Sequence, residues 1–350
     1  MPEIEARWQQ LSANTAFIGG AEVEALENQF GEYLGGVGCV GVANGTDAIV
    51  LALKALRVEP GDEVVVPAYT FIATAAAVIL AGATPVFADV EPGTLNLDPV
   101  SLESCLTDQT VGVIGVHLYG RPFDLESVGA ICRDRGLWLI EDAAQAHGAY
   151  LGSKRVGNSG LLATWSFYPS KNLGCFGDGG AVTATDREVL DRVRLLGNHG
   201  RTEHYEHAEI GTNSRLDALQ AAVLIVRLKT LDDDNARRRE IAARYRRGLE
   251  TVGEIEILQD PPDTQAVYHQ MTLLTSQRDA LRTWLVDRGV GTGIHYPTAL
   301  HRQPALESYG QTTSLAVSER AAEQVLCLPM FSRLTDDEVD NVVQEIVDFF

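Results

Sequence analysis

The chain has 350 residues, of which 45% are hydrophobic and 22% are charged, and these values are typical of a folded globular protein. Its formal net charge is −20, from 28 basic and 48 acidic residues, so nucleic acid and anionic membrane surfaces are disfavoured as partners. The five cysteines are scattered and form no C-x-x-C pair, which argues against a disulfide framework and predicts a reducing, cytoplasmic compartment. Any lysine chemistry must use one of only four lysines: Lys54, Lys154, Lys171 and Lys229.

No membrane or metal signal stands out along the chain. The most apolar stretch, 71–83, is shorter than the roughly 20 residues that cross a bilayer. The N-terminus has no basic region followed by an apolar core, so we expect no secretion signal. His204 and His207 could face one metal ion, but no second cluster of ligands stands nearby. We therefore expect a solvated surface there and no metal site.

The first half of the chain alternates between two kinds of pattern. Short apolar runs, rich in β-branched residues and bounded by turn residues, lie at 38–43, 63–67, 85–90, 111–117, 137–142, 163–167 and 180–184. Helical patterns lie at 46–56, 70–80, 124–135, 187–196 and 216–228. Strands that alternate with helices predict an α/β fold with a mixed, mostly parallel seven-stranded sheet and helices on both faces.

The second half has a different organisation. The charge-rich run 232–250 predicts a long, partly solvated helix that leads out of the sheet domain. Strand patterns near 254–258 and 267–275 and helical patterns at 278–288 and 336–349 follow it. We expect a large domain over 1–232, with a helical segment at its N-terminus, and a smaller α+β domain over 233–350.

Residues that can bind a ligand or react follow several of the predicted strands. Because the carboxyl ends of parallel strands share one edge of a sheet, we expect these residues to lie close together. Gly45 and Thr46 come after the first strand and open a helix. Glycine allows close approach of a ligand, and the free N–H groups of a helix start, with the Thr46 hydroxyl, suit a phosphate. A simple helix cap is the alternative at this position.

Two further strand ends carry ionisable groups. Asp142 ends a buried strand, where a carboxylate needs a cationic or hydrogen-bonding partner. A protonated pyridine nitrogen would be such a partner. The alternative is that Asp142 caps its own loop. Lys171 follows another buried strand in a segment of little charge, where desolvation would lower its pKa and make its amine a nucleophile. Phe71, which follows a further strand, supplies an aromatic face for a pyridine ring. This combination is what pyridoxal phosphate requires.

Longer motifs extend over nearly the whole chain: FIGGAEVEALE, ANGTDAIVLAL, VPAYTFIATA, HLYGRPFD, IEDAAQAHGA, SFYPSKNLGCFGDGGAV, GTNSRLDALQAAV and GTGIHYPTALH. Together they resemble the DegT/DnrJ/EryC1 family of sugar aminotransferases, which are pyridoxal phosphate enzymes of fold type I. The resemblance implies an enzyme that aminates nucleotide-linked keto sugars.

The resemblance also implies a role for each matching residue. Lys171 would be the Schiff-base lysine and later the proton shuttle, and Asp142 would hold the pyridine nitrogen protonated. The remaining cofactor contacts implied are Gln145 near the ring hydroxyl, Phe71 stacked on the ring, and Gly45, Thr46, Ser166 and Asn213 at the phosphate. Because Asn213 would reach in from a second subunit, a homodimer with shared sites is implied. The implied substrate contacts are Tyr168, His199, His295 and Tyr296.

Several alternatives stay open at this point. The resemblance implies an amino acid donor, most often glutamate, and a dTDP-linked 3-keto-6-deoxyhexose as acceptor, in deoxyamino sugar biosynthesis. A 4-keto sugar or a keto-inositol fits the same cofactor motifs. Arg201, Arg215 or Arg302 could receive the diphosphate of a nucleotide sugar. A regulator that binds the cofactor without turnover, or a Schiff-base aldolase without cofactor, would be a different class of protein.

Overall fold

The protein is described by a computed structural model that covers residues 1–158, 162–310 and 315–350. The α-helices of these residues are α1 (Pro2–Ala13), α2 (Ala21–Tyr33), α3 (Gly45–Ala55), α4 (Ala73–Ala81), α5 (Pro99–Cys105), α6 (Leu125–Arg135), α7 (Arg187–Gly197), α8 (Ala218–Leu228), α9 (Leu231–Leu249), α10 (Arg278–Asp287), α11 (Ala316–Gln324) and α12 (Asp336–Phe349). Short 3-10 turns occupy Leu118–Gly120, Leu300–Arg302 and Pro304–Tyr309.

The strands of the same residues are β1 (Gly38–Val42), β2 (Glu63–Pro67), β3 (Thr84–Ala88), β4 (Thr110–Val116), β5 (Trp138–Asp142), β6 (Tyr150–Leu151), β7 (Lys154–Arg155), β8 (Leu162–Ser166), β9 (Gly180–Ala184), β10 (Arg201–Glu203), β11 (Glu206–His207), β12 (Glu256–Ile257), β13 (Thr264–Gln265), β14 (Met271–Leu274) and β15 (Val325–Leu328). Seven of them form one sheet in the order β1-β9-β8-β5-β4-β2-β3. Strand β9 pairs antiparallel with both of its neighbours, and the other pairs of this sheet are parallel. The predicted mixed, mostly parallel seven-stranded sheet is confirmed.

The large sheet is buried on both faces, as its continuous apolar runs predict. In β2, Val64 and Val66 pack in a cluster with residues of α3, α4 and α7. Val65, between them, points to the opposite face and packs with residues of α5 and α6. Farther along that opposite face, Trp165 of β8 packs against Phe30 of α2. This burial fixes the register of the strands. The parallel pairing of β2, β3, β4, β5 and β8 brings the carboxyl ends of these five strands to one edge.

Acidic and amide side chains set where several helices begin. The side chain of Asn44 accepts a hydrogen bond from the Asp47 N–H at the start of α3. Asp124 and Asp217 cap α6 and α8 in the same way. Since α3 begins within three residues of the end of β1, its start lies at the same sheet edge as the end of that strand.

The C-terminal part builds a second, smaller sheet in the order β12-β14-β15, with antiparallel pairs. Helices α9, α10 and α12 cover it through a cluster that includes Tyr245, Met271, Leu281 and Ile346. The predicted division at 232/233 falls inside α9, and it stays a prediction. Strand β13 pairs back with β6, so the two parts are joined by backbone hydrogen bonds as well as by chain connectivity.

Two of the predicted elements that start later than the sequence pattern indicates border the site. The strand predicted over 267–275 begins at Met271, because residues 267–270 instead lie along the Tyr119–Gly120 backbone and contribute His269 to a cavity. The helix predicted from residue 70 begins at Ala73, because Thr70 and Phe71 line the same cavity. Among the described helices, none is long and apolar enough to cross a membrane.

Candidate active site

A cavity of about 500 Å³ lies at the carboxyl edge of the large sheet. All but two of the predicted site residues line it, namely Gly45, Thr46, Phe71, Asp142, Gln145, Ser166, Tyr168, Lys171, His295 and Tyr296. They come from the ends of β1, β2, β5 and β8 and from the C-terminal part of the chain. Residues distant in sequence therefore meet because parallel strands end together.

One end of the cavity is built for an anion. The start of α3 approaches the end of β8 so closely that a Cβ on Gly45 would lie 2.7 Å from Cβ of Ser166. A helix start leaves backbone N–H groups without helical partners, and the hydroxyls of Thr46 and Ser166 line the same cavity. This donor set fits a phosphate group, and no larger residue than glycine fits at position 45 without a shift of the backbone or of Ser166.

Asp142 lies at the end of β5 and is only 6% exposed. Its Oδ2 accepts a hydrogen bond from Oγ1 of Thr74 at 3.0 Å, and its Oδ1 accepts one from the Ala144 N–H at 3.2 Å. Burial raises the pKa of the Asp142 carboxyl, and the hydrogen bonds and Lys171 oppose this rise. A protonated ring nitrogen in the cavity would supply the cationic partner that a buried carboxylate needs.

Lys171 is the lysine that lines the cavity. Burial lowers the pKa of its amine to about 8, and the negative charge of Asp142 partly opposes this shift. An amine whose pKa lies this near neutrality can act both as a nucleophile and as a proton carrier. The sequence-based expectation of a desolvated Lys171 agrees with this environment, whereas Lys154 and Lys229 lie exposed.

Gln145 links two other lining residues. Its Oε1 accepts a hydrogen bond from the Tyr119 backbone N–H at 2.6 Å, and its Nε2 lies 3.4 Å from the Tyr296 hydroxyl. The side chain is therefore held on both sides at the wall of the cavity. Its predicted contact with a ring hydroxyl stays a prediction. The ring of Phe71, which is 50% exposed, lies 5.7 Å from the ring of Tyr296.

Two buried tyrosines hold the segment that carries His295 and Tyr296. The Tyr69 hydroxyl accepts from the Tyr296 N–H at 2.7 Å and donates to the Tyr296 carbonyl at 3.0 Å. The Tyr119 hydroxyl donates to the His295 carbonyl. Because Tyr69 and Tyr119 belong to the large sheet domain, these bonds fix a C-terminal segment over its cavity.

Asn213 and His199 do not line this cavity. They lie on one exposed segment, in which Asn198 pairs with Asn213 and the His199 N–H donates to the Thr212 carbonyl at 2.9 Å. The adjoining β10–β11 hairpin leads to two apolar residues that face solvent, Tyr205 (88% exposed) and Ile210 (94% exposed). Within one chain, Asn213 and His199 are thus separate from the other ten predicted site residues.

Sequence reasoning missed several residues that the fold brings to the site. Thr74 reaches Asp142 from α4, Tyr119 contacts Gln145, and His269 lines the cavity beside Lys171. Tyr119 lies in the HLYG motif, so a signal was present. Thr74 and His269 sit inside apparent secondary-structure patterns and give no such signal. No group of three or more potential metal ligands occurs in the part of the chain that the structure describes.

Comparison with known proteins places this arrangement in a family. Residues 2–347 match the DegT/DnrJ/EryC1/StrS aminotransferase family. A crystal structure of DesV from S. venezuelae, in complex with a ketimine intermediate, superposes with a TM-score of 0.97 at 41% identity, over 99% of this chain and 94% of that one.

Three curated relatives are similar over almost their full lengths. A pleiotropic regulatory protein of Geobacillus stearothermophilus is 42% identical, over 100% of this chain and 95% of that protein. A dTDP-3-amino-3,4,6-trideoxy-alpha-D-glucose transaminase of Streptomyces venezuelae is 41% identical, over 98% and 94%. A UDP-2-acetamido-2-deoxy-3-oxo-D-glucuronate aminotransferase of Pseudomonas aeruginosa is 41% identical, over 94% and 90%.

The family match covers nearly every residue, and the cavity holds a partly buried lysine, a buried carboxylate and an anion cradle that fit pyridoxal phosphate. The chain belongs to the DegT/DnrJ/EryC1/StrS aminotransferase family and is a pyridoxal-phosphate-dependent aminotransferase.

Proposed function

We propose that this enzyme transfers an amino group from an amino acid, L-glutamate, to carbon 3 of a nucleotide-linked keto sugar. The acceptor proposed is a dTDP-linked 3-keto-6-deoxyhexose, and the pathway is deoxyamino sugar biosynthesis in the cytoplasm. The observation that carries the proposal is the cavity that holds both the partly buried Lys171 and the buried Asp142, in a chain whose relatives include named sugar transaminases. Five cysteines without a disulfide support the reducing compartment.

The names of the relatives support amination at carbon 3 more strongly than they support dTDP as the nucleotide. The Streptomyces transaminase is named for a 3-amino sugar and the Pseudomonas enzyme for a 3-oxo sugar. The first name specifies dTDP and the second UDP. A carbon-3 keto group is therefore the shared element, and dTDP rests on the name of the Streptomyces relative and on the sequence resemblance.

Each residue of the cavity takes one task in this reaction. Pyridoxal phosphate, when bound, supplies the electron sink and carries the amino group between the two substrates. The start of α3 and Ser166 would hold its phosphate, and Asp142 would hold its ring nitrogen in the protonated form. Nζ of Lys171 would move the proton at the reacting carbon, work for which a pKa of about 8 is well matched.

We also propose that the working unit is a homodimer in which each site is completed by the partner's Asn213. Asn213 and His199 are exposed, lie outside the cavity of their own chain, and sit beside exposed apolar side chains of the 205–210 segment. Exposed apolar residues of this kind favour a protein interface. Arg201 and Arg215 are exposed on the same segment and could receive a diphosphate.

The proposal can be tested with a panel of 3-keto and 4-keto nucleotide sugars, in dTDP and UDP forms, with glutamate or glutamine as donor. Product amino sugars would be identified by mass spectrometry. We expect amination of the dTDP-linked 3-keto sugar, its loss in Lys171→Ala, and its retention in the control Lys154→Ala, whose side chain is exposed. Exclusive use of 4-keto sugars would reassign the carbon, and no amination of any sugar would refute the proposed function.

A further inference from the structure

His269 is a buried histidine of the cavity to which the sequence analysis gave no role. It is 6% exposed and lines the same cavity as Lys171. Backbone hydrogen bonds fix the chain on both sides of it, from the Val267 N–H to the Gly120 carbonyl at 3.0 Å and from the Gln270 N–H to the Tyr119 carbonyl at 3.4 Å. The imidazole is therefore held in place by the wall of the site.

The side chain next to Lys171, that of Asn172, has a determined orientation. Its Nδ2 donates to the Val267 carbonyl at 2.9 Å and to Oδ1 of Asn235 at 2.8 Å. A carbonyl oxygen only accepts hydrogen bonds, so the amide nitrogen of Asn172 must be the atom that faces Val267. Asn235 is fixed by the same reasoning, since its own Nδ2 donates to the His147 carbonyl at 2.8 Å.

The orientation of Asn172 determines the tautomer of His269. The amide oxygen of Asn172, Oδ1, lies 3.3 Å from Nδ1 of His269. An amide oxygen cannot donate, so the proton in this contact must be on Nδ1 of the histidine. A neutral imidazole carries a single N–H, and Nε2 is therefore left with a free lone pair.

The surroundings of His269 keep the ring neutral. Burial lowers its pKa well below the ordinary value, and the positive charges of Lys171 and Arg238, with the nearby His147 and His295, act in the same direction. Nδ1 is engaged by Asn172, so Nε2 is the polar atom that the ring can offer to a ligand in the cavity. A neutral lone-pair acceptor attracts a hydroxyl group and disfavours a carboxylate, which has no proton to donate.

We propose that His269 is a specificity-determining residue for the sugar half of the reaction, with Nε2 accepting a hydrogen bond from a hydroxyl of the bound keto sugar. The inference rests on the proposed function. L-Glutamate, the proposed donor, has only carboxylates beyond its amine, whereas a hexose has hydroxyls next to the keto carbon. Asn172 and Asn235 are then positioning residues, because they hold the proton on the far side of the imidazole.

Two substitutions test the roles of the two ring nitrogens of His269 separately. In His269→Asn, the short amide can still donate to Asn172 but leaves no acceptor at the position of Nε2. In His269→Gln, the longer amide can place its oxygen near that position. We expect His269→Asn to raise KM for the keto sugar about five- to tenfold, the effect of one hydrogen bond, and His269→Gln to restore it to within about threefold. KM for the amino donor should change less than about twofold in both variants.

A second measurement reads the tautomer without relying on turnover. Nitrogen-15 NMR of the histidine-labelled full-length protein, with the His269 signals assigned by their loss in His269→Asn, should show a protonated Nδ1 and an unprotonated Nε2. In Asn172→Ala the preference for that tautomer should weaken. A protonated Nε2 in the wild-type protein would overturn the inference.

The kinetic outcomes separate this inference from the function on which it rests. A wild-type enzyme that aminates the sugar, together with a His269→Asn variant whose two KM values are unchanged or rise equally, overturns the role of His269 alone. A wild-type enzyme that aminates no keto sugar overturns the proposed function, and the role of His269 with it.

Discussion

At the scale of single residues, burial shifts the pKa values of Lys171 and Asp142 in opposite directions, and each shift favours the neutral form of the group. It lowers the pKa of the amine and raises that of the carboxyl, so both groups are moved toward their neutral forms. Neutral lysine is the nucleophilic form. A bound cofactor that carries a cationic ring nitrogen would pull Asp142 back to the carboxylate.

The charge of Asp142 leads to a prediction about cofactor capture. This charge raises the pKa of Lys171, so Asp142→Asn should lower that pKa further below about 8. The rate at which pyridoxal phosphate associates with the cofactor-free protein should rise with pH as Lys171 loses its proton, and the midpoint of this rise should move to lower pH in the variant. Stopped-flow absorbance would measure it. Asp108→Asn, at an exposed loop, is the control, and an upward shift of the midpoint would contradict the assignment.

The desolvation of the Lys171 amine should also reduce the stability of the cofactor-free protein. The pKa of Lys171 is about 8 when folded and 10.5 as its reference value, so the unfolded chain binds the proton more tightly. Below pH 8 the lysine is charged in both states and the folded state bears the full desolvation cost. Between pH 8 and 10.5 the folded state releases the proton first, and the cost falls as pH rises.

Lys171→Met should therefore raise the free energy of unfolding of the cofactor-free protein at pH 7 by about 3 kcal/mol. The difference from wild type should shrink at pH 9.5. Urea unfolding at the two pH values measures both quantities, with Lys154→Met as the control at an exposed lysine. An equal gain at both pH values would mean that packing, and not the proton, is responsible.

At the scale of elements, the site depends on how closely α3 approaches β8. A methyl group on Gly45 would lie 2.7 Å from Cβ and 3.2 Å from Cα of Ser166. Such distances cannot be accommodated without moving the helix start or the strand end. The two elements provide the anion cradle between them, so a small displacement acts directly on the phosphate.

Gly45→Ala should weaken the binding of pyridoxal phosphate at least tenfold, since it separates donors that must act on the same phosphate. Cofactor affinity would be measured by absorbance or fluorescence titration of the cofactor-free protein. Gly253→Ala is the matched control, because a Cβ at Gly253 meets no atom within 4 Å. Unchanged affinity in Gly45→Ala, with the fold intact by circular dichroism, would show that the phosphate binds elsewhere.

At the scale of the whole molecule, the cavity and the Asn213 segment are separated within one chain, and a shared dimeric site would reunite them. Lys171→Ala and Asn213→Ala chains, coexpressed with different affinity tags, provide the test. In the mixed dimer, one site would contain an intact Lys171 and the partner's Asn213. Since half of the dimers are then mixed and each has one competent site, about a quarter of the wild-type activity should return.

The purified mixed dimer sharpens that test. It should show about half of the wild-type activity per dimer, while each parent homodimer shows little. If Asn213 acts within its own chain, both sites of the mixed dimer carry one substitution and no activity returns. Sedimentation or light scattering would confirm that the species assayed is a dimer.

The sequence alone predicted the large sheet and most of the site for one physical reason. Strands such as β2 and β5 are buried on both faces, so their residues form continuous apolar runs that end sharply at turn residues. Parallel strands share their carboxyl edge, so the sequence alone places Asp142 and Lys171 at the same edge of the sheet.

Only the tertiary structure decided the contacts between segments that are distant in sequence, because a local sequence pattern does not specify them. The two-residue strand β13 is paired only through β6, so residues 264–265 form a strand because the fold brings them to residues 150–151. The hydroxyls of Tyr69 and Tyr119 bind a segment more than 170 residues away in sequence. The proton on Nδ1 of His269 follows from a chain of amide orientations that runs through Asn172 and Asn235. Burial and strand direction can be predicted from the sequence because each depends on a residue and its near neighbours. Hydrogen-bond partners cannot, because they depend on which distant segments the fold brings into contact.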